Sequence, residues 1–212
     1  MSKEWFRRTR WSAADEEDFN RRLARSRAQR RAQYLRIQAL HLTEAAPPRF
    51  DVALALLDRL ITEYPDNLQL AQAHLQRAEC LVILGRIEEG IAAFRSALAT
   101  EREFPHSRTA AYLCFAYFVA TSNMERLHDE ALDVLEEFGH EEMFPREIFL
   151  HNAALALIAH ATGESSVARE AAARALTAAS QSQSGFRYHP TVGLVEQADP
   201  TVTARLNKLA AG

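Results

Sequence analysis

Residues 71–105, AQAHLQRAECLVILGRIEEGIAAFRSALATEREFP, decide how this chain folds. Apolar and small residues recur at helical spacing on both sides of Gly85, which breaks the pattern where a turn is needed. After it come Gly90, Phe94, Ala97 and Leu98, and Pro105 closes the run. Small residues flanked by larger apolar ones let two helices cross closely. One such pair cannot bury both of its faces, so neighbouring pairs are expected to stack on it.

The same ladder reappears elsewhere. Gly163 is followed by Ala168, Ala172, Ala175 and Leu176, and an earlier copy runs Ala53, Leu57, Leu60, Ile61 and ends at Pro65. Seven Gly and seven Pro in 212 residues leave room for short turns only, which fits an all-α chain. The apolar run 111–121, AYLCFAYFVAT, has the residue types of a buried strand, but its alanines and its place in the repeat favour a helix.

Working outward, residues 1–11 read as an arm carrying Trp5, Phe6 and Trp11, rings that either fold back onto the first helix or form an aromatic-basic contact arm. Ser12 with Asp15 and Glu16 reads as a helix start. One long helix is expected from there to about residue 46, where Pro47 and Pro48 end it. It shows two apolar faces: Ala24, Ala28, Leu35, Ala39, Leu42 and Ala46 on one, and Phe19, Leu23, Tyr34, Ile37 and His41 on the other.

Later helices are expected at about 50–64, 68–84, 87–102, 107–122, 126–138, 146–162 and 164–180, with a turn at Pro65-Asp66-Asn67. A polar loop follows, and Asp199-Pro200 starts a short last helix buried through Val202, Leu206 and Leu209. The expected organisation is thus an arm at 1–11, a helical repeat domain at 12–180, and a loop with a C-terminal capping helix at 181–212.

Residues 71–105 resemble a tetratricopeptide repeat through Ala78, Gly85, Gly90, Phe94, Ala97 and the terminal proline. Tyr112, Phe115, Ala116, Val119, Ala131 and Leu135 fit a further unit, with about three residues inserted around 123–127. Leu155, Ala156, Gly163, Ala168 and Ala175 fit the last, and the first unit matches only in its second helix, 53–65. The resemblance covers about 35–180. It implies antiparallel helix pairs stacked as a right-handed superhelix, here with a long first helix and a short capping helix. The ends, Trp5–Thr9 and Ala32–Leu42, resemble a group of short bacterial tetratricopeptide-like proteins, a likeness that brings no activity with it.

In such arrays the first helices line a concave groove. Carried over position by position, the groove residues are Gln33, Arg36, Leu40, Gln72, Leu75, Gln76, Glu79, Val82, Leu113, Tyr117, Ala120, Ala153, Leu157 and His160. Their mix of amides, acids, Tyr and Leu suits a protein or peptide with polar backbone contacts and apolar anchors; the other reading makes Leu75, Leu113 and Leu157 inter-helix core. Some members clamp C-terminal carboxylates with Lys and Asn, but Arg36 and Leu40 stand at those places here.

Charge is unevenly spread. Residues 1–36 hold 11 Lys and Arg against 5 Asp and Glu, net +6, while the remainder holds 14 against 23, net −9. The basic cluster is Arg21, Arg22, Arg25, Arg27, Arg30 and Arg31, which a continuous helix would scatter around its axis. These arginines either pair with Asp15–Asp18 and the acidic body, bind phosphate, or meet an acidic protein.

No histidine pair falls in HExxH spacing and no histidine joins a cysteine at zinc-finger spacing, and no phosphate loop or nucleophile elbow is present. His128-Asp129-Glu130 and His140-Glu141-Glu142 read as solvated turn residues ahead of metal ligands, and Glu88-Glu89 and Glu136-Glu137 as solvated helix faces. Cys80 and Cys114 read as reduced core residues.

The expectation is therefore a cytoplasmic, non-enzymatic scaffold or adaptor without cofactor or metal. It would bind a protein or peptide in the groove, with a bacterial immunity or chaperone-type protein as a narrower form. A nucleic-acid-associated regulator using the basic head is the second class and a self-associating homo-oligomer the third. No apolar segment reaches the roughly 18–20 residues that span a bilayer.

Overall fold

The computed structural model describes residues 4–65, 67–139 and 144–212. Asp66 of the expected turn, residues 1–3 of the arm and the triplet His140-Glu141-Glu142 lie outside the described residues. Among the described residues the chain is all-helical, with no strand. The helices are α1 (Ala13–Arg25), α2 (Ala28–Thr43), α3 (Phe50–Glu63), α4 (Asn67–Ile83), α5 (Ile87–Glu103), α6 (Ala111–Thr121), α7 (His128–Phe138), α8 (Pro145–Ala161), α9 (Ser165–Ala179) and α10 (Pro200–Ala211), with a 3-10 turn at Glu125–Leu127 before α7. Two compact units result, Met1–Ala111 and Tyr112–Gly212, and the boundary falls inside the segment read as one repeat domain.

In the first unit α2 packs on α3 and α4 on α5, while α4 also packs against both α3 and α2. The α4–α5 crossing is close because it is built on small residues. Ala78 is fully buried, and a Cβ added at Gly90 would come within 2.8 Å of Val82 Cγ2. Gly85 adopts φ +75°, a left-handed conformation that side chains resist. There the Arg86 N–H donates to the Leu81 carbonyl at 2.9 Å and the Gly85 N–H to that of Val82 at 3.0 Å. These bonds satisfy the last carbonyls of α4 and turn the chain back.

The long first helix is not continuous. It ends at Arg25, and Ser26 and Arg27 are extended, with ψ of 160° and 134°. Side chains take over the carbonyls that a continuing helix would use. The Ser26 hydroxyl donates to Leu23 O at 2.7 Å, and the Arg31 guanidinium donates to Ala24 O at 2.9 Å. Ala24 and Ala28, read as one apolar face, are consequently exposed, whereas Phe19 and Leu23 are fully buried.

Burial of Phe19 comes from the arm. Trp5 and Trp11 lie 5.2 and 5.4 Å from its ring centroid, and Trp5 and Phe6 both pack on Tyr34 of α2. Gln38, wholly buried in α2, fixes the arm's main chain: its Oε1 accepts from Arg8 N–H at 3.1 Å and its Nε2 donates to Arg8 O at 2.7 Å. The Arg8 guanidinium meanwhile donates to Asp15 at 2.8 Å and to Asp18.

In the second unit the αL turn recurs twice. Asn123 (φ +52°) follows α6, with Met124 N–H donating to Val119 O at 3.1 Å; Gly163 (φ +86°) follows α8, with Glu164 N–H donating to Ala159 O at 2.8 Å. The α8–α9 pair is packed through alanines, Ala153, Ala156, Ala168, Ala172 and Ala175 all being buried. α10 lies on both, through Val202 and Leu206, and starts where the Asp199 carboxylate accepts from Thr201 and Val202 N–H. The polar segment before α10 is tied back to the start of α8: Arg146 N–H donates to Gly193 O at 2.8 Å, and Phe186 stacks on Phe144 at 5.3 Å.

α6 starts at residue 111, four residues later than expected, because Thr109 builds a turn there. Its hydroxyl accepts from Ala111 N–H at 3.1 Å and donates to Glu101, which also accepts from Thr109 N–H at 3.1 Å.

Replacing Gln38 by Met keeps the volume but strands the Arg8 N–H and C=O. The variant is expected to lose about 1–3 kcal/mol of stability, and the tryptophan emission of the native state to shift red as Trp5 loosens. Denaturant unfolding followed by fluorescence checks both.

Candidate functional site

The groove residues of the first unit do not all face one way. Leu40, Gln76 and Glu79 converge on a cavity of about 300 Å³ walled by α2, α3 and α4. Ala39, Leu40 and Thr43 come from α2, Phe50 and Leu57 from α3, and Cys80 and Ile83 from α4. Helical spacing accounts for this: Gln76, Glu79, Cys80 and Ile83 sit three and four apart on one face of α4. Ile83, at the end of the helix, is 61% exposed and forms apolar rim. Thr43 turns its hydroxyl onto its own helix, donating to Leu40 O at 2.8 Å.

Gln76 is the buried polar residue of the cavity wall. It is only 6% exposed, and its side-chain oxygen has no hydrogen-bond partner. An acceptor left so costs about 1–3 kcal/mol in a folded protein. The Cys80 thiol in the same wall is pushed up to about 12, by burial first and by the neighbouring Glu79 charge second.

Other groove residues have different fates. Arg36 is committed within the chain, donating to Gln69 Oε1 at 2.7 Å, and burial lowers its affinity for its proton. Gln33 is exposed and Gln72 half-buried. Leu75 is core at 3% exposure, as is Leu113 of the second unit at 1%. Tyr117 is half-buried beside Phe149, with its hydroxyl raised by burial and then by the Asp199 charge. Leu157 and His160 line a separate cavity of about 390 Å³ between α8, α9 and α10, together with Arg169, Arg205 and Lys208. Two of those cations are engaged: Arg169 donates to Gly212 O at 2.5 Å and Arg205 to Asn123 Oδ1 at 3.1 Å.

The basic cluster divides in two. Arg21 and Arg22 both bond Asp18, and Arg31 spans the α1–α2 break with its guanidinium 5.8 Å from the Tyr64 ring centroid. Arg25, Arg27 and Arg30 are exposed. His128, read as a solvated turn residue, is instead buried at the start of α7. Glu88, Glu89, Glu136 and Glu137 are exposed. Among the described residues no three His, Cys, Asp or Glu side chains come together as a metal site, and no helix is long and apolar enough to cross a membrane.

Besides His128, the burial of Gln38 and of Glu101 does not show in the sequence, because polarity alone suggests solvent. Gln38 stands between the apolar Ile37 and Ala39, and that neighbourhood was the available signal. Glu101 is 2% exposed, and burial raises its carboxyl above the usual range despite its bonds from Thr109 and the nearby Arg108 and Arg102 charges. Comparisons with protein-family models, with curated proteins and with solved structures give no match.

Two outcomes follow. At pH 8 a thiol near 12 is about one part in ten thousand thiolate, so iodoacetamide is expected to leave native Cys80 unmodified for hours and to label it at once in urea, as peptide mass spectrometry would show. A carboxyl raised by folding binds its proton more tightly in the native chain. It therefore adds stability as pH falls toward the ordinary carboxylate range and withdraws it as pH climbs through its own raised value. Glu101→Gln keeps the acceptor for Thr109 and removes the buried charge. Its melting temperature should exceed that of the parent at pH 8, with the gain shrinking toward pH 4 in a thermal-melt series.

Proposed function

We propose that this protein is a non-catalytic interaction module of tetratricopeptide-like build, binding a protein or peptide on the α2/α4 side of its first unit. The observation that carries the reading is the coincidence of groove positions Leu40, Gln76 and Glu79 with a preformed, largely apolar cavity whose rim residue Ile83 is exposed. Contiguous exposed apolar surface rimmed by polar residues marks a binding surface, and Ile83 and Leu84 are exposed side by side at the end of α4.

Stacking of α2–α3 on α4–α5 supports the repeat build, as does the left-handed turn found at residues 85, 123 and 163. The turns lie 38 and 40 residues apart, longer than the roughly 34 residues of the tetratricopeptide unit. The fit is thus to the type of pairing more than to the strict period. A right-handed superhelix is the arrangement that such pairing builds.

Photo-crosslinking in cells tests the binding face. A photoreactive amino acid replacing Ile83 should trap a discrete protein, whereas one replacing the exposed Ala55 of α3 should not. Equal trapping at the two positions, or none at either, overturns the reading.

A second reading rests on Arg25, Arg27 and Arg30, exposed around the α1–α2 break, which could hold phosphate. It expects a low-salt gel shift with nucleic acid that the triple change to Glu abolishes. Absence of a shift in the parent protein removes it.

A further inference from the structure

The second unit carries a charge arrangement that runs against its composition. Residues 112–212 hold seven Lys and Arg against thirteen Asp and Glu. Three of those seven, Arg169, Arg205 and Lys208, nevertheless line the cavity of about 390 Å³ between α8, α9 and α10, and among the described residues no acidic side chain lines it with them. The acids next to it in sequence are bonded elsewhere: Glu170 pairs with Arg174, and Glu164 accepts from the Thr162 hydroxyl. Whatever charge the Gly212 oxygen carries answers Arg169 alone, and Arg205 meets the neutral amide of Asn123. The exposed Lys208 ammonium has no hydrogen-bond or ion-pair partner among the described residues.

Helical spacing brings these groups together. Leu157 and His160 share one face of α8, Ser165 and Arg169 one face of α9, and Arg205, Lys208 and Leu209 one face of α10. Leu157 and Ala168, 3% and 2% exposed, make an apolar floor, while His160 and Lys208 are exposed at the mouth. α9 starts here without a side-chain cap, so its positive end adds to the same field. Cations in excess select an anion, and an apolar floor selects one with an apolar body. The geometry points to a binding site for a small aliphatic acid, its carboxylate held by Lys208 and Arg205 and its chain lying on Leu157, Ala168 and Leu209. The cavity falls within the range of about 300–1,000 Å³ that takes small molecules. This site belongs to the second unit and is independent of the binding face proposed on the first.

The test titrates octanoate into labelled full-length protein and follows the Leu157 and Leu209 methyl signals. Saturable shifts are expected, with an affinity that falls as sodium chloride is raised. Octanol, which has the chain without the charge, should bind roughly tenfold more weakly. Acetate, which has the charge without the chain, should leave these signals almost unmoved. Lys208→Gln changes an exposed side chain, so it should melt with the parent, yet bind octanoate roughly fivefold more weakly. With Arg205→Gln added, octanoate and octanol should bind alike.

No saturable shift at tens of millimolar octanoate overturns the proposal. So does equal affinity of octanoate and octanol in the parent, which would mean an apolar cleft indifferent to charge. Acetate shifting the two leucines as far as octanoate does would mean a surface ion only, and would overturn it as well. Octanoate affinity left unchanged in both variants would take the carboxylate away from α10 and end the proposal.

Discussion

One residue in a left-handed conformation, placed just after the first helix of a pair, sets the course of the chain three times over. Gly85, Asn123 and Gly163 each let the next amide reach back to a carbonyl five residues earlier, which both caps the helix and reverses direction. Everything downstream depends on that reversal. The return helix arrives on the small residues of its partner only because the turn is this short, and the crossing at Ala78 and Gly90 or through the alanines of α8 and α9 follows from it.

The first unit adds a different kind of constraint. Its opening segment is held by polar bonds at the centre of an aromatic cluster, so specificity and burial act at the same place. Gln38 contributes direction, because a carboxamide pairs with a main chain in one register only, while Trp5, Phe6, Trp11, Phe19 and Tyr34 supply apolar area. The Arg8 guanidinium then draws Asp15 and Asp18 onto the arm. Burial works against the Asp18 charge, yet the bonds from Arg8 and Arg21 hold its carboxyl below the ordinary range. Part of the basic head is in this way neutralised inside its own unit.

Helix pairing was readable from periodicity because alanine ladders and αL glycines leave a pattern of period and punctuation. Asn123 was read as part of an insertion, since asparagine marks a left-handed turn less plainly than glycine. The break at Ser26 was invisible for a related reason. Neither Ser26 nor Arg27 is a strong breaker, and the helix yields there only because Arg31 and the serine hydroxyl offer its carbonyls other partners. For the candidate site, positional analogy picked out Leu40, Gln76 and Glu79, which share one cavity. It could not tell that Leu75 would be core, that Arg36 would be spent on Gln69, or that α3 would supply Phe50 and Leu57, because those outcomes depend on how far each helix is rotated about its axis.

The segment between α9 and α10 looks, by composition, free to vary. Besides the Phe186 ring on Phe144, it is pinned at Gly193, with φ of +67° and the Phe144 ring lying where a Cβ would stand. Its carbonyl holds the first turn of α8, so a side chain at 193 would be felt almost fifty residues upstream, at the start of a different helix. The apparent linker therefore has a fixed landmark, the place where it touches down on the start of α8.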